Sequence, residues 1–293
     1  MSPIPLPNRG FRIRVYAVLF QIFCFSANFI ALGFLAALLV DVFAAGAPYL
    51  NLNFLSNYPS RFPAKAGILS AWAGTAALMF FTALISVPLG AGAAVYLEEY
   101  ARDNFFIRLI KLNIRNLAGI PSIIYGILGL TIFVRALGLG RSLIAGALTM
   151  AFLVLPIITI ASQEALRAVP NSHRLAGYGI GMTRRQVTRY QVLPLAAPGM
   201  ITGIILALSR AIGESAPLLM LGALTFITFL PTNPMDSFTA LPIQIFNWTA
   251  RPQKGFHDIA AAAIIVLLLL LILMNSLAVF LRVHYKRKFK ELQ

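Results

Sequence analysis

The chain has 293 residues, 59% hydrophobic and only 11% charged, with a mean hydropathy of +0.82. Soluble domains carry about 25% charged residues, so this composition excludes an ordinary soluble domain and points to an integral membrane protein. The formal net charge of +15 does not indicate nucleic acid: the cations cluster between apolar runs, as at an anionic membrane face, with no basic stripe interleaved with aromatics.

A membrane-crossing helix needs about 20 mostly apolar residues. Arg9, Arg12 and Arg14 precede a first uncharged run that ends at Asp41. "AGA" at Ala45 to Ala47 resembles a leader-cleavage site, but the run is much longer than the roughly 7–15 residues of a signal peptide, so it reads as an uncleaved span. Cys24, the single cysteine, lies within it and serves as a small apolar side chain. A second run extends from Lys65 to Glu98, with "GAGAA" at Gly90 to Ala94 read as small residues for close helix packing. The third lies between Arg115 and Arg135 and the fourth between Arg141 and Glu164. The fifth starts near Leu195, contains Arg210 and Glu214, and fades near Phe229; the sixth lies between Asp258 and Arg282. Two outer segments, "YPSRFPAK" (58–65) and "LPTNPMDSFTALP" (230–242), read as loops or short gating elements. Arg61 and Lys65 in the first are either ordinary loop charges or a guide for an anion or a binding protein.

Six spans put both termini on one side. The termini and the second-to-third and fourth-to-fifth loops hold 17 lysines and arginines, against 6 in the opposite loops. The positive-inside rule then places both termini in the cytoplasm. The sequence has no G-x-x-x-x-G-K-S/T loop to hold ATP phosphates, His173, His257 and His284 have no ligand spacing, and no catalytic constellation stands out.

The segment Glu164 to Gly199 is the longest polar-rich stretch on the inner side. Pro170 should end or kink the fourth helix. Asn171 or Ser172 can cap a short helix that Gly181 ends. Thr183 with Gln186 fits a capping box for a second helix, which Pro194 closes before the fifth span. Two short helices at a glycine turn suit docking to another protein; an ordinary amphipathic surface loop is the alternative.

Arg210 and Glu214 stand at i and i+4 within an apolar run. A charge at the bilayer centre costs roughly 2.5–3.5 kcal/mol on insertion scales, so such residues pair or line a polar path. Ala207, Gly203 and Gly199 fall near the same face, and Pro217 is expected to kink or break the helix. Arginine offers paired hydrogen bonds to a phosphate-like oxyanion. Phosphate keeps a proton near neutral pH; a carboxylate accepts a hydrogen bond from it and repels a fully deprotonated anion. Ser209 and Ser215 are further donors. The alternative is a self-neutralising pair that locks helices together.

"RLAGYGIGMTRRQVTRYQVLP" (174–194) resembles the coupling loop of permeases in ATP-driven importers, with Ala176, Gly181, Leu193 and Pro194 at the motif's spacing and Leu175 where the motif has glutamate. "GMITGIILALSRAIGESAPLL" (199–219), "PSRFPAKAGI" (59–68) and "GIPSIIYGILGL" (119–130) resemble the A-type permeases (PstA) of bacterial high-affinity phosphate ABC importers, over about Arg61 to the C-terminus. The C-type permeases carry a similar pattern.

The resemblance implies an all-α, six-helix membrane protein of the type I ABC importer permease (MetI-like) fold in the bacterial cytoplasmic (inner) membrane. It implies a cytoplasmic segment over 1–14, a first transmembrane helix over 15–40 and an external loop over 41–67. A permease core over 68–283 follows, with its coupling loop at 170–195, then a basic cytoplasmic tail over 284–293. Arg210, Glu214, Ser209 and Ser215 would lie on the substrate path. Arg174, Ala176, Gly181, Leu193 and Pro194 would contact the ATPase. The implied partners are a homologous permease, two copies of an ATPase that carries the ATP and magnesium, an extracytoplasmic phosphate-binding protein and membrane lipid, with no cofactor in this chain. A permease for another oxyanion and an ATPase-independent carrier are the rival functions.

Overall fold

The computed structural model describes residues 9–224 and 226–290, so residues 1–8 of the basic N-terminal segment and 291–293 of the tail lie outside the described residues. In chain order the helices are α1 (Arg9–Gly46), α2 (Leu52–Ser56), α3 (Leu69–Val95), α4 (Phe105–Ala118), α5 (Ser122–Gly129), α6 (Leu143–Arg167), α7 (Asn171–Gly179), α8 (Arg184–Val187), α9 (Leu193–Ile212), α10 (Ala216–Leu221), α11 (Leu241–Thr249) and α12 (Lys254–Lys290). Wider π turns extend α3 over Tyr96–Tyr100 and α5 over Leu130–Ala136, and Thr188–Val192 joins α8 to α9. Among the described residues the only β pairing is a single bridge, Ser142 to Ser237.

The most enclosed span, α6, is the hub against which α3, α9 and α5 pack. Small side chains make this possible. A Cβ on Gly203 would sit 2.4 Å from that of Ala161, and one on Gly199 would sit 2.9 Å from that of Ala165. At such closeness backbone packs on backbone, which drives helix association in lipid. Gly90 of the "GAGAA" stretch likewise faces Ile158 of α6. Two buried hydroxyls of α6 donate to the carbonyl four residues back, Thr149 to Ala145 and Thr159 to Leu155 (both 2.8 Å), so these two bring no unpaired donor into the apolar zone. By contrast α1 packs along α12 and exposes most of its apolar surface. It runs past Asp41 to Gly46, five residues beyond that charge.

Among the described residues five unbroken helices are long and apolar enough to cross a membrane, and α4 with the α5 segment makes a sixth if that bent pair is one span. The stretch read as the third straight span is interrupted at Gly119 to Pro121, where α4 and the α5 segment meet at 103°. The cause is local. Pro121 has no N–H and disfavours helical backbone at Ile120, while Asn104 starts α4 by accepting from the Ile107 amide at 2.9 Å.

Pro194 does not close a short helix, contrary to expectation. Arg184 to Ile212 runs as one 29-residue helix, about 44 Å long at 1.5 Å per residue. The wide turn Thr188–Val192 lies immediately ahead of Pro194, and such turns accommodate a break in the regular hydrogen-bond ladder. The outer segment 230–242 is also more than a surface loop. Its Phe238, Thr239 and Ala240 are buried with Leu241 of α11, and the Asp236 and Pro234 carbonyls accept from the Leu143 and Ile144 amides at the start of α6 (both 2.9 Å).

Candidate functional site

The charged pair sits where the fifth span breaks. α9 ends at Ile212, Gly213 to Ser215 form the break, and α10 restarts with proline in its first turn, where a missing N–H costs nothing. Arg210 is therefore in the last turn of α9 and Glu214 just beyond the helix. The small-residue stripe Gly199, Gly203, Ala207 does not lead to Arg210. It continues to Ala211, which is buried with Ala207, and all four positions serve helix packing. Arg210 turns to the other side with Leu206 and Gly213, and its side chain is 64% exposed against 20% for Glu214.

The guanidinium is left open. Its Nε lies 3.6 Å from Glu214 Oε1, an ion pair too long to be a hydrogen bond. Among the described residues it makes no hydrogen bond at all. Depth is set by the neighbouring helix: the Ser209 hydroxyl donates to Asn275 Oδ1 at 2.5 Å, and Asn275 belongs to the uncharged run between Asp258 and Arg282. Ser209 thus spends its proton on α12, while Ser215 opens α10 half-buried. Asn275 and Ser276 line a concave surface with Ile272, Val279 and Phe280. The sequence reading passed over Asn275, although an amide inside "LLLLLILMNSLAVF" is the signal that could have found it.

Over 168–193 the glycine turn forms as the pattern predicts, joining the short helix α7 to the start of the long Arg184–Ile212 helix, so that only the first of the two expected short helices stands by itself. Gly181 has φ +83°, the left-handed backbone that an L side chain resists. The Gly181 amide donates to Tyr178 O and the Met182 amide to Gly177 O, both at 3.0 Å, which closes α7. Thr183 and Gln186 form the capping box of α8. Neither Asn171 nor Ser172 caps α7: Pro170 holds that position, and Asn171 Oδ1 instead accepts from Arg174 at 3.3 Å.

Of the residues matched to the coupling motif, Ala176 is exposed on α7, Gly181 forms the turn, and Leu193 and Pro194 lie half-buried in the long helix. Arg174 turns inward onto Glu99 at 2.6 Å, its side chain 18% exposed and that of Glu99 7%. The groups that stand out from α7 are Leu175, Tyr178 and Ile180. Nearby, Glu98 holds Arg167 at 2.8 Å and Lys111 at 3.0 Å, and Arg184 lies over the Tyr100 ring.

Residues 86–291 match the family described as "Binding-protein-dependent transport system inner membrane component". The chain belongs to this family. Its matched segment contains the inward-turned Arg174, the glycine turn and the open Arg210. Among curated relatives, the probable ABC transporter permease protein YqgI of Bacillus subtilis is 34% identical over 72% of this chain and 74% of its own. The phosphate transport system permease protein PstA of Pasteurella multocida is 30% identical over 91% and 93%. The probable phosphate transport system permease protein PstA of Methanocaldococcus jannaschii is 29% identical over 86% of each. Among solved structures, the inward-facing MetNI methionine ABC transporter matches with a TM-score of 0.59 at 19% identity, over 74% of this chain and 95% of that one. A bacterial importer of the polysaccharide alginate matches with a TM-score of 0.63 at 16% identity, over 92% and 98%. At these identities the likeness is one of fold: this family member has the ABC importer permease architecture, and as an inner-membrane component it crosses the membrane several times.

Proposed function

We propose that this chain is a permease subunit of an ATP-driven phosphate importer and forms half of the phosphate path, with Arg210 as the anion-binding group. One observation carries the reading: a guanidinium with no hydrogen bond among the described residues, beside a helix break and next in sequence to Ser209, which bonds Asn275 inside the uncharged run of α12. A cation there is too costly to face lipid, so a second permease and the passing anion complete its surroundings. Glu214 then accepts a hydrogen bond from the proton of monohydrogen phosphate and disfavours an oxyanion with no proton to donate. The phosphate transport permeases among the relatives support the choice of anion.

The same reading gives the rest of the assembly. The 17 to 6 distribution of cations puts both termini and the α7–α8 knob in the cytoplasm. There the exposed Leu175, Ala176, Tyr178 and Ile180, with the Gly181 turn, dock into an ATPase that holds ATP and magnesium in two copies. An extracytoplasmic binding protein delivers phosphate to the outer loops. The test is reconstitution of the importer in vesicles with labelled phosphate. ATP-dependent accumulation that excess sulfate does not suppress is the expected result. Accumulation without ATP, or equal uptake of sulfate, overturns the proposal.

A further inference from the structure

The knob is joined to the membrane helices by one side chain that neither the apolar tip of α7 nor the Arg210 break accounts for. Arg174 Nη2 and Nε reach both oxygens of Glu99, at 2.6 and 3.4 Å. Its Nη2 also donates to Leu166 O at 3.0 Å and its Nη1 to Val169 O at 2.8 Å. Leu166 is in the last turn of α6, where carbonyls have no partner within the helix. One guanidinium thus ties together the π turn that ends α3, the C-terminal end of α6, and α7 itself. A fork of this kind fixes orientation as well as distance.

Without it, α7 is weakly held. It is a nine-residue helix set between a joint at 168–170 and a second at 180–183, and Gly177 is its one buried residue. The neighbouring carboxylate does not do this work: Glu98 bonds Arg167 and Lys111, which join α3 to α6 and α4 and leave α7 untouched. Glu99 and Arg174 lie 75 residues apart in the chain and come together only in the fold.

We propose that Glu99 and Arg174 are positioning residues that make α7 move as one body with α3 and α6. A displacement of the knob by the ATPase is then delivered to the helices around the phosphate path and not absorbed at the two joints. The proposal rests on the permease reading above, and its failure is distinguishable from the failure of that reading.

The experiment uses the complete importer in proteoliposomes, with ATP hydrolysis and labelled phosphate uptake followed in the same vesicles. Glu99→Gln keeps one acceptor oxygen for the guanidinium but loses the negative charge and the second hydrogen bond. The double variant Glu99→Leu with Arg174→Met removes the staple without leaving a buried unpaired charge, an exchange that buried pairs often tolerate. Phosphate moved per ATP is expected to fall about two- to threefold in Glu99→Gln and about tenfold in the double variant, with hydrolysis within about twofold of wild type. A wild-type ratio in the assembled variants overturns the proposal, and Glu99→Gln decides alone if the double variant does not assemble. Wild-type vesicles whose ATP hydrolysis ignores the phosphate-loaded binding protein overturn the permease reading instead.

Discussion

Arg174 and Arg210 stand 36 positions apart in one stretch, yet the fold treats them in opposite ways. Arg174 is enclosed and spends its donors on Glu99, two main-chain carbonyls and Asn171. The Arg210 guanidinium lies exposed in the single chain, with one carboxylate at 3.6 Å and, among the described residues, no hydrogen bond. The first sits at the joint between α6 and α7, beyond the end of a membrane-length helix. The second sits in the last turn before the break in another such helix and is left open. A charge satisfied within its own chain holds parts together, whereas a charge left open in apolar surroundings waits for something from outside.

Stability measurements sharpen the contrast most. Arg174→Ala leaves Glu99 buried without a partner, a loss of about 3–5 kcal/mol for buried pairs. The purified subunit complex should melt several degrees lower, while Arg210→Ala should leave the melting temperature close to wild type. Equal destabilisation by the two variants would erase the distinction drawn here. Gly181→Val acts next, on the turn that orients the knob. A branched residue in left-handed backbone costs about 1–2 kcal/mol, so melting should shift less than in Arg174→Ala, with reduced ATPase co-purification. An unchanged variant on both readouts would mean that the turn does not fix the docking face.

The smallest effect concerns the outer cap of α6. The Asn233 amide, then the Thr232 amide and hydroxyl, bond the Asp236 carboxylate at 2.8, 2.9 and 3.2 Å and hold its pKa below the usual carboxylate value. A lowered folded pKa means that the stabilisation is fully present above the unfolded value and is lost as pH falls through the folded one. Asp236→Asn should flatten that acid-side loss of melting temperature and change little at neutral pH. An identical acid profile in both proteins would remove Asp236 from the account.

Much of this was legible before any coordinates. Hydropathy marks the spans because lipid leaves backbone polar groups no partner outside a helix, and the capping box and Gly181 are local signals with local causes. The 103° bend was written in Gly119 to Pro121 but masked by the apolar run around it. Pro194 misled because a proline after a wide turn need not stop a helix. The pairing of Glu99 with Arg174 and the contact of Ser209 with Asn275 depend on which helices meet, which no local pattern encodes. The small stripe was visible, but its destination was not: close packing on α6 decided that it runs to Ala211 and leaves Arg210 facing away.

The most direct test of the open arginine is labelled phosphate uptake by the reconstituted importer, comparing wild type with Arg210→Gln at matched assembly. The account predicts that the variant assembles and melts like wild type but takes up phosphate at about one-tenth of the rate or less, as expected when a charge-assisted contact to the anion is lost. Wild-type uptake by the assembled variant would contradict it and would make the Arg210–Glu214 pair a structural feature of the helix break.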